Sequence, residues 1–307
     1  MTKADWIAVD WGTSTLRAWA MGRDGTVLAE ATSDQGMGGL PPGPDSFEAA
    51  LLALVSPWLT RGAVTEVLAC GMVGSRQGWV EAGYRRVPTA ALAAEALTPA
   101  RTHDPRLKVH VLSGISQHNP WDVMRGEETQ IAGLLAAQPK FEGVVALPGT
   151  HTKWVQILDG EVFHFASFMT GELFALLSNH SVLRHSVDAK GFAKDSFIAA
   201  VEDTLSRPER VAAQIFGLRA EHLLKGEDPV IAASRLSGLL LGLELAGAKP
   251  YWLGQPIALV ASGQHATCYS TALEVVGASF EVFNPDDCVL SGLRAARLHA
   301  HAPKGTT

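Results

Sequence analysis

Ile7-Ala-Val-Asp-Trp-Gly-Thr-Ser-Thr-Leu-Arg-Ala-Trp-Ala-Met21 is a short apolar strand, a glycine-hydroxyl turn and a second apolar strand. The same grammar returns at Val144-Val-Ala-Leu-Pro-Gly-Thr-His-Thr-Lys-Trp-Val-Gln-Ile-Leu158. Gly12-Thr13 matches Gly149-Thr150, and Thr15 matches Thr152. Each copy runs on to an Asp-Gly pair, Asp24-Gly25 and Asp159-Gly160, and then to a further strand. Asp-Gly between apolar runs favours a tight hairpin, because both central residues of that turn need positive φ. Glycine lets a ligand approach the backbone closely, and the turn's N–H groups and hydroxyls can donate to phosphate oxygens. Two such turns in one chain predict a two-part grip on a phosphate chain. Neither is a Walker loop, since no Gly-Lys-Ser/Thr follows and no helix begins there.

The repeat is not symmetrical. Asp10 stands just before the first turn, where a carboxylate can hold Mg2+ through water, or can simply cap the turn through its amides. The second copy has Leu147 at that place. A third glycine site, Ala261-Ser262-Gly263-Gln264, joins a strand to a helix, a junction that often receives a nucleotide and often serves only as a packing turn.

Outward from these motifs, strands are expected at 6–10, 15–21, 26–31, 65–70 and 108–112. Helices are expected at 49–59, capped by Ser46, at 89–97 and at 126–137. The second half is read as hairpin strands near 143–167, helices at 171–179, 195–205, 207–217, 229–247, 266–276 and 286–299, and strands at 257–261 and 279–283. The tail from Pro303 to Thr307 is expected to fray. Strands alternating with helices give an α/β class, with mixed sheets because of the hairpins. The 307 residues suit two domains, divided as 1–140 and 141–307. A net charge of -6 speaks against a nucleic-acid or acidic-membrane partner. No secretory leader or membrane span is expected, and Cys70, Cys268 and Cys288 show no metal spacing, so a cytoplasmic protein with reduced thiols is expected. The apolar stretch Leu236–Leu245 offers either core or a homodimer interface.

The two hairpins and the late Ser-Gly turn together resemble the two phosphate motifs and the adenosine motif of the actin/hexokinase/Hsp70 superfamily. Within it the chain resembles the 2-dehydro-3-deoxygalactonokinase family over nearly its whole length. The resemblance is carried by 9–17, by Gly71-Met-Val-Gly-Ser-Arg-Gln-Gly-Trp-Val-Glu81, by Arg125-Gly-Glu-Glu-Thr-Gln130, by 148–154 and by Thr170-Gly-Glu-Leu-Phe174. It implies two ribonuclease-H-like lobes, each a mixed sheet flanked by helices, with ATP and Mg2+ in the cleft. It also implies transfer of the γ-phosphoryl group to the 6-hydroxyl of 2-dehydro-3-deoxy-D-galactonate, in galactonate breakdown. The phosphate and nucleotide contacts would be Gly12, Thr13, Ser14, Thr15, Gly149, Thr150, His151, Thr152, Lys153, Ser262 and Gly263. Many members of the superfamily carry an acid before the second turn. Leu147-Pro148 departs from that pattern and leaves the metal to Asp10 and water.

A sugar hydroxyl must lose a proton as it attacks phosphorus, and a carboxylate beside it can accept that proton. The resemblance places this base near a helix start between the phosphate motifs, where Glu128 is the first candidate and Glu127 the second. Two acids in a first helical turn also simply favour the helix dipole. A sugar-acid carboxylate calls for arginine. Arg76 is the leading candidate, beside Gln77, with Trp79 and Tyr84 as walls of a sugar pocket; Arg85, Arg86 and Arg125 are rivals. Arg17 sits mid-strand and reads either as a substrate contact or as the partner of a structural acid. Glu172 could bond a hydroxyl or begin a helix. Two competing activities remain open: a phosphohydrolase of the exopolyphosphatase type, suggested by Gly126-Glu-Glu128, and a non-catalytic nucleotide sensor.

Overall fold

The computed structural model describes residues 2–93 and 97–301. β1 (Trp6–Trp11) and β2 (Leu16–Met21) form the first hairpin, and β3 (Val27–Ser33) follows the Asp24-Gly25 turn, where Gly25 takes φ +83°. α1 (Pro44–Val55), β4 (Thr65–Cys70), β5 (Tyr84–Arg86), β6 (Thr89–Ala90) and β7 (Leu97–Ala100) come next. β8 (Leu107–Leu112), β9 (Gly114–His118), β10 (Trp121–Met124) and α2 (Glu127–Ala137) complete the first half. The second half begins with β11 (Gly143–Leu147), β12 (Thr152–Leu158) and β13 (Glu161–Phe168). α3 (Thr170–His180), α4 (Lys194–Ser206), α5 (Val211–Lys225), α6 (Pro229–Gly247) and α7 (Lys249–Trp252) then run in series. β14 (Ile257–Val260), α8 (Gly263–Val275), β15 (Phe280–Phe283) and α9 (Pro285–His301) close the chain.

The chain divides into two compact units. The first takes the described residues up to Phe141, residues 159–163 and those from Pro285 onward. Its sheet has the order β3-β2-β1-β4-β8-β7, with β1, β4 and β8 parallel and β2, β3 and β7 antiparallel to their neighbours. Central β1 is buried on both faces, as its unbroken apolar run requires. Ile7, Val9 and Trp11 join Phe47 and Leu51 of α1 in one core cluster. Trp6, on the opposite face, lies under the Arg297 guanidinium of α9 at 5.0 Å. A small sheet, β10-β9-β5, lies beside this framework in the sequence between β4 and α2. Glu161 and Val162, grouped with this unit, pair antiparallel with Ala90 and Thr89 of β6.

The second unit holds β15-β14-β11-β12-β13, again with a hairpin on one side and parallel strands on the other. Strand for strand this repeats β8-β4-β1-β2-β3, so the duplication extends from the hairpin to five strands of each sheet. α6 is, among the described residues, the one helix long and apolar enough to cross a membrane. Here it is core: Leu236, Leu239, Leu240, Leu241 and Leu245 are all buried. Gly238 and Gly242 let it close on α4, where a Cβ would come within 2.5 Å of the Phe197 carbonyl oxygen and 2.7 Å of Thr204. Of the two readings offered for this stretch, the structure shows core.

Three other expectations change. The helix expected over 89–97 is replaced by β6 and by the start of β7; residues 94–96 lie outside the described residues, as does the tail 303–307. α1 starts earlier than expected, at Pro44, and Ser46 does not cap it: its hydroxyl donates to the carbonyls of Pro41 and Gly43. The last helix, assigned from sequence to the second lobe, groups with the first unit. α9 packs on α2 through two glycines, since a Cβ on Gly133 would lie 1.8 Å from the Cys288 carbonyl oxygen and one on Gly292 1.9 Å from that of Thr129.

Candidate active site

The first turn, 12–15, is closed by the Gly12 N–H donating to the Thr15 carbonyl at 2.9 Å. Thr13, Ser14 and Thr15 are exposed. The glycine-rich segment after β3 supports the turn from behind. Met37 and Gly38 N–H groups donate to the Gly12 and Thr13 carbonyls at 3.0 and 2.8 Å. Gly36 touches Ser14 so closely that a Cβ would lie 2.2 Å from its carbonyl carbon.

Asp10 faces Arg17 across the hairpin. Arg17 Nη2 donates to Asp10 Oδ2 at 2.6 Å, and its other terminal nitrogen bonds Asp286 at the start of α9. Arg17 thus holds two structural acids, the alternative to the substrate role given it from sequence. The second Asp10 oxygen lies 3.8 Å from Cys70 Sγ. Mg2+ takes oxygen ligands and keeps several waters. A partly exposed carboxylate whose second oxygen is not paired with Arg17 fits such an ion. Among the described residues no group of three or more His, Cys, Asp or Glu could cage a metal, so the remaining ligands would be water and phosphate.

Gly71 and Gly126 both have positive φ, +93° and +108°, and they let the end of β4 meet the start of α2. There Glu128 is fully buried, its Oε2 accepting from the Gly126 N–H at 2.7 Å and its Oε1 from Thr129 Oγ1 at 3.1 Å. Burial, followed by the neighbouring Glu127 charge, pushes its pKa up to about 7. Glu127 is only half-buried, and its Oε2 accepts from the Arg125 N–H at 2.9 Å. The Cys70 thiol is pushed up by its burial and then by Asp10 and Glu128, which flank it.

Segment 71–86 distributes its candidates unevenly. Arg76 is 80% exposed, with only a 3.4 Å pairing to Glu81, and Gln77 is exposed beside it. Trp79 is no sugar wall. It is buried against Trp11 and Phe47, at ring separations of 6.0 and 6.3 Å, and its indole N–H donates to the Arg101 carbonyl. Tyr84 is half-exposed, with the Arg125 guanidinium stacked on its ring at 4.2 Å. Arg125 Nη2 donates to the Ala82 carbonyl at 2.6 Å. Its Nη1 and Ser75 Oγ are buried with no hydrogen-bond partner among the described residues. Arg85 instead bonds Ser113, Thr89 and the carbonyls of Ala90 and Ala91.

The second unit builds its turn differently. Thr150 and His151 are exposed, and His151 Nε2 meets Glu172 Oε2 at 2.5 Å. The Glu172 N–H donates to the Thr150 carbonyl at 2.9 Å. Gly171 presses on the turn, since a Cβ there would lie 2.3 Å from the Gly149 carbonyl oxygen. Thr152 and Lys153, by contrast, are buried. Lys153 Nζ donates to Ser167 Oγ at 2.5 Å. Thr152 Oγ1 meets the Tyr269 hydroxyl at 2.6 Å, so its hydroxyl turns inward and not toward a phosphate. Gly149, Gly171, Ser262, His265, Leu241 and Tyr269 are among the residues lining a cavity of about 290 Å3. Ser262 precedes the first residue of α8, Gly263, which has φ +54°, and no side chain caps this helix start. The cavity therefore joins two of the expected nucleotide motifs. Thr170 and Tyr269, which also line it, were missed from sequence, because buried polar residues on helices carry no local signal.

The family model described as 2-keto-3-deoxy-galactonokinase matches residues 10–296. A relative from Rhizobium meliloti (strain 1021), described as a probable 2-dehydro-3-deoxygalactonokinase, is 41% identical over 96% of this chain and 97% of its own. The 2-dehydro-3-deoxygalactonokinase of Escherichia coli (strain K12) is 34% identical over 97% and 98%. A solved structure from Sinorhizobium meliloti, described by the same enzyme name, superposes with a TM-score of 0.87 at 39% identity, covering 98% of each chain. The activator of the 2-hydroxyisocaproyl-CoA dehydratase from Clostridium difficile shares the fold alone, with a TM-score of 0.51 at 11% identity over 98% and 99%.

Proposed function

Because the chain belongs to the 2-keto-3-deoxy-galactonokinase family, within the actin/hexokinase/Hsp70 superfamily, we propose that it transfers the γ-phosphoryl group of ATP to the 6-hydroxyl of 2-dehydro-3-deoxy-D-galactonate. The observation that carries this reading is the end-to-end relationship, which spans both glycine-hydroxyl turns and the segment between them. A phosphoryl-transfer site works mainly by alignment and charge stabilisation, so the residues to identify are those that hold phosphate, metal, hydroxyl and carboxylate.

On this reading the exposed donors of 12–15 and the N–H groups of 149–151 hold phosphate oxygens. The cavity beside Ser262 and Gly263 takes the adenosine. Asp10 would hold Mg2+ through water, and the ion would neutralise charge on the transferring phosphate. Glu127 is the member of the acidic pair with surface to offer a hydroxyl and is the assigned base. Glu128 is wholly buried, its oxygens held by the Gly126 N–H and the Thr129 hydroxyl. Arg76 and Tyr84 remain the carboxylate and sugar contacts. The unpartnered Arg125 Nη1 and Ser75 Oγ in the same neighbourhood support a polar ligand there, since buried orphaned groups are costly. The reaction belongs in the cytoplasm, where ATP is supplied.

ADP release followed over a panel of 2-keto-3-deoxy sugar acids tests the assignment. Strong stimulation by the galactonate derivative is expected. A flat response across the panel, or equal ADP release with no sugar acid, overturns it; the second result would instead identify a phosphohydrolase.

A further inference from the structure

Glu244 is the one charged residue in the apolar run of α6 and is 2% exposed. Its carboxylate is fully engaged. Trp154 Nε1 donates to Oε1 at 2.9 Å, the Tyr269 hydroxyl lies 3.0 and 2.9 Å from the two oxygens, and Thr170 Oγ1 donates to Oε2. An indole N–H can only donate, and a carboxylate can only accept. When Glu244 is ionised, the Tyr269 proton goes to it and the Tyr269 oxygen accepts from Thr152. Thr152 also hydrogen-bonds Glu244, so Thr152, Tyr269 and Glu244 form one buried cluster.

Every donor in this cluster stands on a segment that shapes the second turn or its cavity. Thr152 ends the turn, and Trp154 lies two residues beyond it on β12. Thr170 opens α3 and precedes Gly171, which presses on Gly149. Tyr269 and Thr170 line the cavity itself. A buried carboxylate is a poor source of stability, because an apolar residue of similar size often serves as well or better. What it supplies is directionality: four donors, Trp154, Thr170, Tyr269 and Thr152, must converge on two oxygens, and that convergence sets the relative placement of β12, α3, α6 and α8.

We propose that Glu244 is a positioning residue for nucleotide binding, fixing the second phosphate turn and the cavity wall through Tyr269, Thr170 and Trp154. This rests on the reading of the cavity as the nucleotide site. Glu244 is not among the residues lining the cavity; it acts through its donors.

The test is calorimetric binding of ADP and, separately, of 2-dehydro-3-deoxy-D-galactonate to the full chain and to Tyr269→Phe, Glu244→Gln and Glu244→Leu, with melting curves for each. Tyr269→Phe removes the hydroxyl that bonds both Thr152 and Glu244 while keeping the ring. It is expected to weaken ADP binding about tenfold, the scale of a lost hydrogen bond to a charged group, and to lower the melting temperature modestly, with sugar-acid affinity near wild type. Glu244→Leu is expected to keep or raise the melting temperature and still lose ADP affinity. A folded Tyr269→Phe or Glu244→Leu protein with wild-type ADP affinity overturns the proposal. So does an equal loss of both ligands together with a lowered melting temperature, the signature of a merely structural role. If Glu244→Gln fails to fold, Tyr269→Phe decides. A wild-type chain that binds no ADP would instead overturn the nucleotide reading of the cavity.

Discussion

The two hairpin turns share a backbone plan and differ in where their side chains go. Each is pressed by a glycine from another segment, Gly36 against Ser14 and Gly171 against Gly149. The first turn leaves Thr13, Ser14 and Thr15 exposed and is anchored at its base by the Asp10–Arg17 pair. The second buries Thr152 and Lys153 and is anchored from beneath by Tyr269 and Glu244. Thr15 and Thr152 occupy matching places in the repeat, yet one faces solvent and the other the core. Duplication has preserved the main-chain cradle, while Asp10 has no acidic counterpart, Leu147 standing at its place in the second turn. On the proposed function, the contrast puts base and metal in the first unit and the nucleotide cavity in the second.

The division breaks first at the acidic pair. Glu127→Gln is expected to lower kcat by about 10²–10⁴-fold, the range for loss of a general base, with ADP affinity unchanged. Glu128→Gln should cost less. The reverse order in steady-state kinetics would move the base to Glu128. Next, Gly36→Ala and Gly171→Ala each force a Cβ into a turn. Overpacking of this kind costs about 1–3 kcal/mol, visible in melting curves, and both variants should lose nucleotide affinity. Gly39→Ala is the control, with nothing within 4 Å of the added atom. Equal behaviour of all three would remove the buttressing role.

Thr15→Val and Thr152→Val sharpen the same contrast. The exposed site should raise KM for ATP with an unchanged melting temperature. The buried one should lower the melting temperature, by about 1–3 kcal/mol of stability for the lost inward partner. The smallest effect is in pH dependence. Glu128 and Glu244 both have pKa values pushed up to about 7 by burial, against about 4.5 when unfolded. The native state therefore holds their protons longer, and their contribution to stability falls as pH rises from about 4.5 to about 7. Glu128→Gln and Glu244→Gln should each flatten that part of a melting-temperature profile, and an unchanged slope in both would contradict the burial account.

Much of the first-unit framework was legible because its signals are local. Asp24-Gly25 and Asp159-Gly160 announce their hairpins, and Gly25, Asp159 and Gly160 take positive φ. The small sheet β10-β9-β5 was not legible, because its strands are short and lie among glycines and exposed side chains without alternation. Trp79 shows the limit for single residues. Its glycine-rich neighbourhood suggests an open loop, while the ring closes the core over Trp11 and Phe47.

The amino-acid sequence by itself determined the repeat, the position of both glycine-hydroxyl turns, the acid at Asp10 before the first of them and the α/β alternation, because each depends on residues near one another in the chain. Tertiary structure alone decided that α9 returns to the first unit, that Thr152 turns inward, and that Glu244 gathers Trp154, Thr170 and Tyr269. Those outcomes depend on close helix approach at Gly133 and Gly292 and on a buried charge finding distant donors, which no local pattern records.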